Sequence, residues 1–210
     1  MVSHNSGIIG GGIYSHFSDF TLLNFTISDN VVTGENASGS GLYIFMDSNV
    51  IIKNSIVWNN EITLYGYPVG QKNTLTIFSS NVKNGKNGIE YEVTDIVQWD
   101  SSNINATPFF MDDAKNDYHL LSFSPCIDSG IIYKPDKKFI GKAPDMGAYE
   151  YTSTLLGDVN NDGVLSLIDL ILLIRLNTGE NVLGVNYLYS DLNEDNSLDT
   201  KDIISLIKKI

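Results

Sequence analysis

Gly157-Asp158-Val159-Asn160-Asn161-Asp162-Gly163-Val164-Leu165-Ser166-Leu167-Ile168-Asp169 returns further along as Asp191-Leu192-Asn193-Glu194-Asp195-Asn196-Ser197-Leu198-Asp199-Thr200-Lys201-Asp202. The offset is 33 at every matched position: 158 to 191, 160 to 193, 162 to 195, 166 to 199, 169 to 202. Each copy runs into a stretch with helical apolar spacing. Hard oxygen donors at loop positions 1, 3, 5, 7, 9 and 12 are what Ca²⁺ asks of a curled backbone. The first loop offers Asp158, Asn160, Asp162, the carbonyl of Val164, Ser166 and Asp169, with Gly163 at the sharp turn. The second offers Asp191, Asn193, Asp195, the carbonyl of Ser197, Asp199 and Asp202. Asn196 stands where the first loop has glycine, and Asn visits the left-handed region more readily than most residues. Position 12 is Asp rather than Glu, which shortens the reach of a bidentate ligand. The plainer reading is a pair of Asx-rich turns capping helices; duplication in register, each copy entering an apolar helix, weighs against it. Two bound calcium ions are expected.

At 100° per residue, Leu170, Leu173 and Ile174 share one side of the first helix. Ile203, Leu206, Ile207 and Ile210 repeat that stripe on the second, and the two stripes are expected to pack together. The opposite side of the first helix carries Ile168, Ile171, Leu172 and Arg175, with Leu167 at its edge; the second carries Lys201, Ile204, Ser205 and Lys208. A helix apolar on both sides in so small a domain needs something to cover it. The 167/168/171/172/175 face is therefore the expected partner contact. Packing on the end of the preceding region is the alternative.

Upstream, a second kind of repeat appears. Gly10-Gly11-Gly12-Ile13-Tyr14 recurs as Gly39-Ser40-Gly41-Leu42-Tyr43, and Asn24 and Asn30 recur as Asn54 and Asn60 within β-rich runs. A third run, Leu75–Val82, follows Val50 by 25 residues. Short Ile, Val, Thr and Phe-rich runs punctuated by Gly and Asn read as strands. A period of roughly 25–30 residues suits stacked parallel rungs, with Asn at the bends. An antiparallel sandwich is the alternative.

These residues resemble the right-handed parallel β-helix of the pectate-lyase-like superfamily. The resemblance continues through Asn105–Phe110, Asp117–Leu120, Ser124–Gly130 and Ala143–Tyr151, similar to the segment that closes such helices in bacterial and archaeal surface proteins, and covers about residues 7–151. Three rungs are visible, near the minimum for a stable solenoid. Met1–Gly7 has neither a basic nor an apolar leader region, which fits a cytosolic protein or a chain cut from a longer one; with so few rungs and an uncapped first rung, further rungs and a secretion signal are expected upstream.

The duplicated loops and their helices resemble a type I dockerin over residues 157–210. That resemblance implies calcium-dependent folding and a cohesin domain as partner, the loop residues above holding the metal. It also implies that near-identical halves can bind in two orientations. Here one outer face is apolar and the other cationic, so one orientation is expected to dominate. The expected fold is thus mainly β, a right-handed parallel β-helix over 1–151. A short link at 152–156 leads to a small all-α domain of two F-hand-like loop–helix repeats at 157–210. The expected role is attachment of an extracellular or cell-surface protein to a cohesin-bearing, cellulosome-like scaffold, in polysaccharide binding or degradation. A non-catalytic adhesion protein, and a polysaccharide lyase or glycoside hydrolase with its active rungs upstream, are the alternatives.

Composition narrows the partners. The 13 Lys and Arg face 25 Asp and Glu, a formal charge of −12 that repels nucleic acid and anionic lipid. No apolar run is long enough to span a bilayer. One cysteine, Cys126, excludes an internal disulfide, and three histidines exclude a zinc site of ordinary Cys/His spacing. No catalytic residue is expected within the chain. Residues 1–151 contain no Arg for a carboxylate clamp; Lys53 reads as a surface lysine, Asp112-Asp113 as a turn and His119 as structural. Tyr14, Tyr43 and Trp58 have the chemistry to stack on sugar rings or to fill the core.

Overall fold

The computed structural model describes residues 1–66, 71–133, 139–153, 155–193 and 195–210, the side chain of Leu188 excepted. It divides into two compact units, Met1–Ile131 with Asp145–Tyr149, and Ile132–Pro144 with Glu150–Ile210.

The first unit is built of short strands: β1 (Val2–Ser3), β2 (Ser6–Gly7), β3 (Ile13–His16), β4 (Asp19–Leu23), β5 (Thr26–Ser28) and β6 (Val31–Val32). The next set is β7 (Leu42–Phe45), β8 (Asn49–Lys53), β9 (Ile56–Trp58) and β10 (Ile62–Tyr65). Then come β11 (Thr74–Phe78), β12 (Asn81–Val82), β13 (Ile89–Tyr91), β14 (Ile96–Trp99), β15 (Phe110–Asp112) and β16 (Asp117–Leu120). Among the described residues three sheets have four strands each, in the orders β1-β5-β9-β12, β13-β10-β7-β3 and β14-β11-β8-β4. All pairings within these three sheets are parallel. The chain thus visits the three sheets in turn and returns to each one strand further along.

Register explains the core. Phe20, Val50, Leu75 and Val97 form one row across β4, β8, β11 and β14, and Leu22, Ile52, Ile77 and Trp99 form the next inward row. Alternate residues of a strand face alternate sides, so Ile51, between those rows in sequence, and Lys53, just after them, lie on the other face. Leu42, Ile44, Ile62 and Leu64 from another sheet, and Ile27 and Val57 from the third, join the same apolar cluster. In-register parallel stacking sets apolar on apolar along the whole unit, which is why strands of two to five residues suffice.

Ladders of short polar side chains fix that register at the bends. Ser18 N–H donates to Ser48 Oγ (3.1 Å), Ser48 N–H to Asn73 Oδ1 (3.1 Å) and Asn73 N–H to Asp95 Oδ1 (2.8 Å). A second ladder runs Phe25 to Ser55 to Ser80 to Asn103, each backbone N–H donating to the next side chain at 3.0–3.1 Å. In a third, Asn30 Nδ2 donates to Asn60 Oδ1 (2.9 Å), and Asn5 N–H donates to Asn30 Oδ1 (3.0 Å). Asn24 and Asn54 both hold positive φ, 52° and 47°, at the bends between strands. A one-residue slip would turn every inward side chain outward and unpair these donors.

The later blocks of this unit are tied by similar bonds. Cys126 is fully buried and its Sγ accepts from Asn81 Nδ2 (3.1 Å), while Ser124 Oγ donates to the Pro108 carbonyl (2.6 Å). Burial raises the Cys126 thiol to about 11. Gly147 takes φ +111°, and a Cβ there would stand 2.9 Å from Ile56 Cδ1. His119 Nδ1 lies 2.7 Å from Asp117 Oδ1 and the ring stacks on Tyr149. Asp112 pairs with Lys115, and Asp113 opens a 3-10 turn.

The second unit holds α1 (Leu167–Asn177) and α2 (Thr200–Ile207). Its core is Val159, Leu173, Leu176, Val182, Val185, Leu192 and Leu206, with Leu156, Leu165, Leu170, Leu172, Leu198 and Ile203 packed against it. Leu172, expected on the outer face of the first helix, is half-buried against this core, whereas Ile174, Ile207 and Ile210, expected inside, are exposed. Loop side chains from Val159, Val182, Val185 and Leu192 fill space that helical periodicity alone assigns to the helices. No helix among the described residues is long and apolar enough to cross a membrane.

Candidate calcium loops and docking face

Each helix of the second unit begins in one of the duplicated loops, and the loop's last donors double as the helix cap. Ser166 caps α1 by accepting from Ile168 N–H (3.2 Å), and Asp169 returns the bond in a capping box. Asp199 and Asp202 do the same for α2, with Lys201 N–H donating to Asp199 Oδ1 (2.7 Å). Such reciprocal caps satisfy helix-end donors that would otherwise lack partners.

The backbone bonds of the two loops match pair by pair. Asp158 accepts from Asp162 N–H (3.0 Å) and Gly163 N–H (2.8 Å); Asp191 accepts from Asp195 N–H (3.2 Å) and Asn196 N–H (2.8 Å). Asn160 Nδ2 donates to Asp162 Oδ2 (2.8 Å), and Asn193 Nδ2 to Asp195 Oδ2 (2.9 Å). Asp162 and Asp195 in turn accept from the N–H of Val164 and of Ser197, both at 3.0 Å. Gly163 and Asn196 occupy the matching turn with φ of +83° and +63°. The two halves therefore curl identically although one uses glycine and the other asparagine.

Asp at position 12 has a structural use that its short reach explains. Asp169 Oδ1 accepts from Val159 N–H (2.9 Å) and Asn160 N–H (3.1 Å), while Oδ2 accepts from Ser166 N–H (2.8 Å) and Oγ (3.0 Å). Asp202 repeats this with Leu192 N–H (2.8 Å), Asn193 N–H (3.2 Å) and Asp199 N–H (2.9 Å). One carboxylate thus staples the start of each loop to its end.

Charge in the first loop is uncompensated. Asp158 and Asp169 are both fully buried, and neither meets a basic side chain among the described residues. Burial pushes the Asp158 carboxyl above the usual carboxylate range and the Asp169 charge adds to the rise, against the pull of the Gly163 and Asp162 N–H groups. Buried carboxylates without a counter-charge are costly. Among the described residues no three His, Cys, Asp or Glu stand grouped as a metal cluster. The donors on offer are mixed instead: carboxylates, an amide, a hydroxyl or carboxylate at position 9, and a backbone carbonyl. That all-oxygen set fits a hard divalent cation, with Asp158, Asn160, Asp162, Val164 O, Ser166 and Asp169, and their counterparts in the second loop, as the residues to hold it. A bound cation would neutralise the buried carboxylates and lock each loop.

In the second loop a lysine already supplies charge. Lys201 Nζ lies 3.0 Å from Asp195 Oδ2 and 3.3 Å from Asp199 Oδ2. The bond from Lys201 holds Asp195 below its ordinary range, and Asp195 and Asp199 hold Lys201 above its own. Sequence reading placed Lys201 only on an outer helix face.

Beside the first loop, Leu167, Ile168 and Ile171 are 66%, 56% and 56% exposed, and Ile174 extends the same apolar strip. Arg175 is turned to Glu180, with Nε donating to Oε2 (2.9 Å). Of the five expected contact residues, four are thus exposed and Leu172 is drawn toward the core.

Elsewhere, the first unit has a cleft of about 470 Å³ lined by Thr76, Phe78, Gln98, Trp99, Asp100 and Ser102 among others. Its one carboxylate, Asp100, is held below the usual range by Ser102. On the outer face of the β13-β10-β7-β3 sheet, Tyr14 stacks on Tyr43 (5.8 Å), and Phe45 stacks between His16 (5.5 Å) and Tyr65 (6.0 Å). Lys53 sits over the Phe78 ring and Lys83 over Trp58.

Two loop–helix repeats with oxygen-rich loops and a shared apolar core make the second unit a duplicated loop–helix module. Residues 156–210 match the family of the dockerin type I domain, and this carboxyl-terminal segment is similar to type I dockerins. The chain matches no curated protein and no solved structure. Type I dockerins bind calcium and dock onto cohesins as family properties.

Proposed function

We propose that residues 157–210 fold around two calcium ions and attach this chain, outside the cell or at its surface, to a cohesin on a scaffold. The observation that carries the reading is the apolar strip Leu167, Ile168 and Ile171, left uncovered beside a loop with two buried, unneutralised carboxylates in a type I dockerin segment. Calcium holds the loop, the loop caps α1, and α1 presents the strip. The matching positions of α2 are Thr200, Lys201 and Ile204, so one of the two pseudo-symmetric orientations is favoured. The first unit is the cargo. Its three parallel sheets, visited in rotation with polar ladders at the bends, support a right-handed parallel β-helix within residues 1–131. The exposed rings Tyr14 and Tyr65 and the cleft at Trp99 support polysaccharide as what the cargo binds or acts on. A second reading, a non-catalytic adhesion cargo, is favoured by the cleft lining, which offers one carboxylate and no basic side chain.

Capture of the full chain on immobilised type I cohesins, measured by surface plasmon resonance, tests the reading. Binding is expected in calcium, is released by EGTA, and is abolished by I168D with I171D. Abolition by K201E with K208E instead, with I168D/I171D still bound, overturns the assigned face.

A further inference from the structure

The two loops differ most in how their charge is balanced. The first presents three carboxylates, Asp158, Asp162 and Asp169, with Ser166 at position 9 and Ile168 at position 11. The second presents Asp191, Asp195, Asp199 and Asp202, a fourth carboxylate at position 9, and Lys201 at position 11. Lys201 reaches the two carboxylates at positions 5 and 9, Asp195 at 3.0 Å and Asp199 at 3.3 Å. Asp195 Oδ2 also accepts from Asn193 Nδ2 (2.9 Å), so the ammonium lies among three of the residues assigned to the metal. In the first loop the matching Asp162 Oδ2 accepts only from Asn160 Nδ2 (2.8 Å) among the bonds of the described residues. Ile168 leaves that position without a charge.

We propose that Lys201 is a built-in competitor for the second loop, an ammonium that must leave Asp195 and Asp199 before calcium can take them, and that it thereby sets that loop's affinity. The inference rests on the calcium reading above. Calcium affinity rises with the number of ligand charges, so the extra carboxylate Asp199 alone would make the second loop the tighter of the two. Lys201 offsets that advantage and keeps the metal-free loop from repelling itself. Because Lys201 is largely exposed, its two ion pairs are screened, and removing both corresponds to roughly a 2- to 30-fold gain in affinity.

Two backbone amides report the loops separately. Gly163 N–H donates to Asp158 and Asn196 N–H to Asp191, both at 2.8 Å. Calcium titrations of the full chain, followed by ¹H–¹⁵N NMR at these amides, are compared for wild type, K201I and K201R. Ile already occupies the equivalent position 168, which makes K201I compatible with the helix start. The expected result is a roughly 2- to 30-fold lower midpoint at Asn196 in K201I, an unchanged midpoint at Gly163, and wild-type behaviour in K201R. An Asn196 midpoint that stays put or rises in K201I overturns the role of Lys201 while calcium binding stands. If neither amide responds to calcium in wild type, the calcium reading fails and this inference fails with it.

Discussion

Replacing Asp169 by Asn keeps the shape of the side chain and removes half of its acceptors. Asp169 uses both oxygens: Oδ1 for Val159 and Asn160 N–H, Oδ2 for Ser166 N–H and Oγ. An amide has one acceptor oxygen, so whichever way it turns, two donors face an NH₂ group. The Ser166 hydroxyl can rotate away, but a backbone N–H cannot. One unsatisfied buried donor costs about 1–3 kcal/mol, and losing the charge weakens the two surviving bonds by about another 1 kcal/mol. The total is about 2–4 kcal/mol. A segment the size of residues 156–210 has a stability of only about 3–8 kcal/mol at ordinary values per residue. Hydrogen exchange of the full chain in saturating calcium, the condition in which the second unit is folded, read by mass spectrometry over 157–177, separates the effect from the first unit. Protection there is expected to fall roughly 30- to 700-fold. Asp202→Asn should cost somewhat less, since Asp202 accepts three such bonds rather than four. A D169N variant as protected as wild type in calcium refutes the staple.

Asn30→Ala removes the hub of the third ladder, leaving Asn5 N–H, the Val2 carbonyl and Asn60 Oδ1 without their present partner. A loss of about 1–3 kcal/mol is expected in urea unfolding of the first unit. Gly147→Ala places a Cβ 2.9 Å from Ile56 Cδ1 at a φ of +111°, and a drop of about 1–3 kcal/mol in the same assay is expected. Alkali should weaken the first unit. Burial raises Cys126 to about 11 and both Tyr43 and Tyr118 to about 12, from ordinary values of 9.0 and 10.0. The unfolded chain then releases these protons first, so stability is full below about 9 and falls as pH rises toward 12. A flat urea midpoint over that range contradicts the burial of these groups.

The duplicated loops and their helix caps were legible because their information is local. Oxygen-bearing side chains at five matched positions of twelve, repeated at one offset, leave little for tertiary context to decide, and the backbone bonds of the two loops superpose at that offset. The Asn and Gly recurrences were legible for a similar reason: Tyr14 pairs with Tyr43, and Val50 with Leu75, at the spacings the sequence shows. The later strands β13 and β14 carry no recurring Asn and pair at unequal offsets, 27 and 22 residues, so the repeat did not announce them. The helix faces were half legible. Helical spacing found Leu170, Leu173 and Leu206 but missed Leu172 and Leu176, because the core is completed by Val159, Val182 and Val185 from outside the helices. Lys201 at Asp195 and Asp199 is a contact between loop and helix that face-by-face reading of a helix does not reveal.

The claim on which the rest depends is that the duplicated loops take up calcium, and calorimetric titration of the ion into the metal-stripped full chain tests it most directly. The account predicts saturation at two ions per chain, and loss of that heat when Asp158 and Asp191 are both changed to Ala. A wild-type chain that gives no heat, or one whose heat survives the double substitution, contradicts it.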